Sequence, residues 1–217
     1  MPSSSATQVI REDHAALVAM LSSIRILTDT GPGDDPARFF ESAAAMLFYI
    51  DEFPERHHHP TESNLLFPML LKAVPELRAV LQRLEMDHVA GEGRVRELQH
   101  RLLAWQFLGE PRRAAFVNAL EEYVKFYLHH MRTEESELLP LVQTRLKTAQ
   151  LGELDAAFEA SRDPLTGGKR DPDYDALFSR IVQYAPNPIG LGATVDCMVS
   201  PGVKAGESQA SRVPRSS

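Results

Sequence analysis

Three histidines in this chain stand four residues ahead of a glutamate: His58 before Glu62, His88 before Glu92 and His130 before Glu134. Four residues make about one helical turn, so on a helix the two side chains of each pair share a face. An imidazole and a carboxylate stacked in this way can hold one metal ion together, or let the carboxylate bridge two. His14 adds a further imidazole upstream. The single cysteine, Cys197, supplies neither a thiolate cage nor an intramolecular disulfide, so any metal must sit on nitrogen and oxygen. No Ser-His-Asp or Cys-His grouping argues for a hydrolase.

Such residues act together only if long elements carry them to one centre. Glycine and proline cluster at 31–36, at 109–111 and after Asp163, and between these joints apolar residues recur at three and four positions without period-2 alternation. The pattern predicts an all-α chain. A first helix runs from about Thr7 to Thr28 and buries Val9, Ile10, Leu17, Met20, Leu21 and Ile24, with the preceding serines able to cap it. A second begins after Asp35 and buries Phe39, Phe40, Ala43, Met46, Leu47 and Ile50. It then meets Pro54 and Pro60, where kinks or a break are expected because proline lacks a backbone donor. Pro75 opens a third that runs through Leu81, Leu84, His88, Val95, Leu98 and Leu102 toward Leu108. A fourth extends from about Arg112 to Thr148 with Phe116, Leu120, Tyr123, Val124, Tyr127 and Leu128 inward, bent or ended by Pro140.

Helices of about 22 to 37 residues span about 33 to 55 Å and match well enough to pack as an up-down four-helix bundle over residues 1–150. Short helices near 154–160 and 174–184 form a C-terminal extension over 151–185. From Pro186 to the end the sequence is rich in Pro, Gly, Ser and Ala and has no aromatic residue, which predicts a disordered tail over 186–217. Each of the four long helices then owns one of His14, His58, His88 and His130. A faint internal repeat agrees: Asp-His-Ala-Ala at Asp13 is matched by Asp-His-Val-Ala at Asp87, and the His59 and His130 segments each lead through a glutamate to Leu-Leu and a proline. His57, His59, His100 and His129 read as ordinary surface or satisfied histidines.

With 217 residues, 43% of them hydrophobic, the chain can bury a sizeable core. Its net charge of -7 and the lack of a dense basic tract argue against nucleic acid as a partner. No apolar run reaches the length of a membrane span and no basic start precedes an apolar leader, so a cytoplasmic protein without a membrane partner is the expectation. No feature identifies a protein partner.

Four segments, REDHAAL, HHHPTESNLLFPML, MDHVAGEGRVREL and HHMRTEESELLPLV, resemble the hemerythrin-like, or HHE cation-binding, family over about residues 7–148. The resemblance implies a four-helix bundle around two non-haem iron ions with a bridging oxo or hydroxo group. His14, His58, His88 and His130 would be iron ligands, and Glu62 and Glu134 bridging carboxylates. Glu92 joins the candidate ligands, in the place where the oxygen-carrying members have another histidine, a departure that argues against simple oxygen carriage. With Glu92 bound, three glutamates and a bridging hydroxide would neutralise two Fe(II) ions, which suits burial. Without it the site keeps one positive charge and favours an anionic ligand. In the repeat, the position answering Glu92 is Val18, which cannot ligate.

Glu55 before His58 and Glu85 before His88 also match the Glu-x-x-His spacing of ferritin-like di-iron carboxylate proteins. That pattern needs only two histidines and leaves His14 and His130 idle, so Glu55 and Glu85 read better as acceptors for ring N–H groups. The leading expectation is a non-enzymatic protein that binds or senses a small molecule, oxygen or nitric oxide, or handles iron. The alternative is a di-iron oxidative enzyme, for peroxide reduction or iron oxidation.

Overall fold

The computed structural model describes residues 4–169 and 171–190, and among them the chain is helical with no strand. Six helical rods account for it: α1 (Ala6–Thr30), α2 (36–73), α3 (Arg78–Leu108), α4 (113–145), α5 (Thr148–Ala160) and α6 (Asp175–Tyr184). Helix α1 ends where Gly31 adopts a positive φ of 75° and donates its N–H to the Leu27 carbonyl. Helix α2 starts with Pro36 in its first turn and the Asp35 carboxylate accepting the Arg38 N–H. Among the described residues no helix is long and apolar enough to cross a membrane.

Of the kinks or break expected at Pro54 and Pro60, the helix shows local distortion without a break. The chain absorbs its prolines by widening: α2 passes through π-helical turns at Asp51–His58 and Glu62–Leu66, and α4 through one at Glu134–Leu138. A proline ring clashes with the carbonyl four residues back, and a wider turn moves that carbonyl away. Pro54 lies inside the first such turn and Pro60 in the α-helical turn between the first two, while Pro68 and Pro140 each stand at the second position after a wide turn ends. His58 closes the first wide turn, and Glu62 and Glu134 each open another, so the distortions fall on the candidate ligands.

Helix α3 packs along α2 and α4, and α1 packs against α2, α4 and α5. Two apolar clusters result. One gathers Leu17, Met20, Met46, Leu98, Trp105, Phe116 and neighbours; the other gathers Ile10, Leu66, Leu84, Leu138, Leu154 and Phe158. Almost every residue expected inward on the four long helices is buried, but Leu128 is 39% exposed, lying beside rather than on the stripe of Leu120, Tyr123, Val124, Tyr127 and Met131.

The extension is integral rather than peripheral. Leu154 and Phe158 of α5 complete the second cluster, and Phe178 and Ile181 of α6 join the first. Asp155 accepts the Ala6 N–H at 2.6 Å, and the buried Asp163 carboxylate accepts the Tyr49 hydroxyl. The disorder expected from Pro186 onward does not hold for 186–190: Ser23 Oγ donates to the Pro186 carbonyl at 2.9 Å and accepts the Ile189 N–H at 3.1 Å. These bonds hold residues 186–190 on α1; the rest of the expected tail, with Cys197, lies outside the described residues.

Candidate metal centre

The polar residues of the interior form a belt between the two apolar clusters. His14 comes from α1, His58 and Glu62 from α2, His88 from α3, and His130 and Glu134 from α4; all six are at most 7% exposed. The Nε2 atoms of these histidines converge on the two carboxylates. Glu62 Oε1 lies 3.3 Å from His58 Nε2, and its Oε2 lies 3.4 Å from His88 Nε2. Glu134 Oε2 lies 3.3 Å from His14 Nε2, and its Oε1 lies 3.2 Å from His130 Nε2. Each carboxylate therefore turns one oxygen toward the His14–His58 pair and the other toward the His88–His130 pair. The Nε2 atoms of His88 and His130 are themselves 3.2 Å apart.

Three of the four opposite ring nitrogens are hydrogen-bonded to oxygen. His14 Nδ1 is 2.9 Å from Glu135 Oε1, His58 Nδ1 is 3.1 Å from Asp13 Oδ2, and His88 Nδ1 is 2.9 Å from Ser63 Oγ. His130 Nδ1 faces Asp87 Oδ2 at 3.5 Å. A carboxylate on Nδ1 fixes the tautomer that leaves Nε2 with its lone pair toward the centre, the arrangement found around metal-bound histidines. Sequence reasoning missed Asp13, Asp87, Glu135 and Ser63, although the repeated Asp-His dipeptide carried the signal. In each dipeptide the histidine points to the centre; Asp13 orients His58 of a neighbouring helix, while Asp87 stands 3.5 Å from His130 Nδ1 without a hydrogen bond to it. Glu85, expected as such an acceptor, is exposed.

Glu92 is not brought to the cluster. Its side chain is 47% exposed and pairs with Arg96 one turn along α3. On that helix the inward face is defined by Leu84, His88, Gly91 and Val95, which leaves position 92 on its edge. His59, expected to be ordinary, is instead buried against the centre. It stacks on His88 with centroids 4.3 Å apart and planes within 9°, and its Nδ1 is 3.0 Å from Glu55 Oε2. Glu55 thus serves His59 rather than His58.

Charge and burial compete at each group. Burial lowers the His88 imidazole, but the Glu134 and Glu62 carboxylates outweigh it and raise its pKa to about 9. His58 is likewise raised well above 6.5, with burial opposed by the charges of Glu62 and Asp13; His14 is raised against burial by Glu134 and Glu135. Burial and the charge of Glu134 push Glu62 up, yet His58 and His88 bring it net below the usual carboxylate range. Glu134 lies well below that range because His130, His14 and His88 outweigh its burial. His59 goes the other way: burial, then the charge of His88, lowers it to about 3.

The donor set fits a cation. His58 Nε2 and both oxygens of Glu62 and of Glu134 are buried without a hydrogen-bond partner, although the nearest nitrogens are only 3.2–3.4 Å away. Each unpaired buried polar group costs roughly 1–3 kcal/mol, and a positive ion among them satisfies all at once. Imidazole nitrogen with carboxylate oxygen suits first-row divalent metals.

Donors converging from four helices of an all-helical chain define a metal-binding helical protein. The hemerythrin HHE cation-binding domain family model matches residues 5–142, and the chain belongs to that family. No match was found among curated proteins or among solved structures.

Proposed function

We propose that α1–α4 form an up-down four-helix bundle holding two non-haem iron ions, and that the protein binds or senses a small molecule such as oxygen or nitric oxide there. The observation that carries this reading is the paired placement of Glu62 and Glu134, each with one oxygen toward each histidine pair. Two carboxylates so disposed are suited to span two ions, with His14 and His58 on one and His88 and His130 on the other. An iron pair supplies reversible one-electron and two-electron chemistry toward small oxygen and nitrogen ligands when bound.

The protein's own groups set what reaches the site. Beside His14, His58 and His59 lies a cavity of about 10 Å³, bordered by Leu17, Phe53, Pro54 and Met131 and by the polar Asp13, Ser161 and Asp163. That is room for about one water-sized molecule, which favours ligands of one or two heavy atoms. Asp13 and Glu135 hold the two imidazoles in register. With Glu92 turned to solvent, only Glu62 and Glu134 would offset the charge of two ions from within the cluster, which favours a small anion.

The test is metal content per chain on untagged protein, with visible spectra before and after reduction and air exposure. About two irons per chain, with oxo-bridge charge-transfer bands that bleach on reduction, is the expected result. Zinc or no metal, with iron refused on reconstitution, would overturn the proposal. Rapid peroxide consumption that vanishes in His58→Ala would assign oxidative catalysis to the same site instead.

A further inference from the structure

We propose that the small ligand enters through a door whose outer wall lies beyond the family-matched residues: a surface pocket between α2 and the stretch 160–174, separated from the inner cavity by Ser161 and Phe53. The proposal rests on the two-metal reading above. The pocket has a volume of about 410 Å³ and is lined by Phe53 and His57 of α2 and by residues of that stretch, Ser161 and Tyr174 among them. Ser161 and Phe53 also line the cavity of about 10 Å³ beside His14, His58 and His59, so the two spaces meet at these residues. The outer space is of the size that holds a small organic molecule, and the inner one admits about a single water.

Burial marks Ser161 as the opening. Every residue lining the inner cavity is buried except Ser161, which is partly exposed. A second surface groove, between α1 and α4, also approaches the cavity, but the residues common to both, His14 and Met131, are buried, and His14 is held at Nδ1 by Glu135.

The stretch 160–174 is tied to α2 at both ends. Ser161 Oγ donates to the Ala157 carbonyl at 3.1 Å and lies 3.2 Å from Thr61 Oγ1 of α2; at the far end the Tyr174 hydroxyl donates to Glu52 Oε1 at 2.7 Å. Between these ties the chain turns at Gly168, whose N–H donates to the Asp163 carbonyl at 2.9 Å and where a Cβ would collide with the Arg162 carbonyl. Phe53 packs against the same stretch: its ring stacks on His57 with centroids 5.8 Å apart and meets Tyr174 edge-on at 5.3 Å. One ring and one serine therefore stand between the pocket and the cavity. The family model ends at residue 142, so Ser161 and the rest of the stretch lie outside it.

A door changes the speed of binding and of release together and leaves affinity alone, because it favours neither the free nor the bound state. The test installs a plug after folding: Ser161→Cys, with Cys197→Ser, is made in the full chain, loaded with iron and then capped at the introduced thiol with a bulky maleimide. Stopped-flow mixing with azide, followed by its charge-transfer band, should show association and dissociation both slowed about tenfold or more, with Kd unchanged. The uncapped variant should match the unmodified protein, and Leu128→Trp, which crowds the groove between α1 and α4, should leave both rates as they were. The metal-free variant gives a separate reading, since its introduced thiol should take the maleimide from the pocket. A thiol inert to the reagent, a cap that leaves both rates unchanged or weakens the affinity in step with the association rate, or slowing by Leu128→Trp instead would overturn the proposal. An unmodified protein that gives no azide band would sink the two-metal reading itself, and this proposal with it.

Discussion

Stripping the metal and raising the pH should weaken the fold in a direction set by His88. In the metal-free protein its pKa is about 9, against 6.5 for an unfolded histidine. A group raised on folding stabilises fully below its unfolded value and loses that contribution as the pH climbs through its folded value. At 1.36 kcal/mol per pH unit, the interval from 6.5 to about 9 is worth about 3 kcal/mol for this buried ring alone. His58 and His14 are raised as well and act in the same sense. Urea denaturation of the metal-free protein, followed by circular dichroism at half-unit intervals from pH 6 to about 9.5, measures the loss. His88→Gln should flatten much of the slope. The loaded protein should behave oppositely, because ions must displace those protons and are held more tightly as the pH rises over the same interval. Stability that is flat or rises with pH in the metal-free protein, or a full loss retained in His88→Gln, would refute the reasoning.

The remaining predictions separate positioning residues from bystanders. Asp13→Asn keeps the shape beside His58 but removes the anionic acceptor at 3.1 Å, and competition with a chromophoric chelator should show metal affinity reduced about 10- to 100-fold. Glu92→Gln should leave metal content and spectrum unchanged, since the native carboxylate faces solvent and Arg96; loss of a metal equivalent would restore it as a ligand. Gly91→Ala should destabilise by about 1–3 kcal/mol through the clash with Tyr127, and adding Tyr127→Phe should recover much of the loss in the same denaturation assay.

The sequence alone determined which faces the long helices bury and which histidines those faces carry. Apolar periodicity placed the core of α1 through α4, and His-x-x-x-Glu spacing with the family resemblance picked out His14, His58, Glu62, His88, Glu92, His130 and Glu134, of which all but Glu92 are buried together. That works because a residue's angular place on its own helix follows from its number, at about 100° per step.

Tertiary structure decided what that rule cannot. His88 and Glu92 share a side of α3, yet the packing of α3 against α2 and α4 centres the inward face on Leu84, Gly91 and Val95, so Glu92 falls at the edge and meets Arg96. His59 stands one step round from His58, outside the face an ideal helix would bury. The π-helical turns on either side advance the chain by less than 100° per residue, and with them both neighbouring imidazoles are buried. Of the prolines that predicted kinks or a break, Pro54 sits within a wide turn and Pro60 in the short α-helical turn between two of them. Asp13 orients a histidine on another helix, Glu55 accepts from two tyrosines of α4, and Ser23 of α1 bonds both Pro186 and Ile189. Each of these is a contact between segments far apart in the chain. Helical spacing fixes directions within one rod, while such contacts depend on how the rods are rotated against each other, which only packing sets.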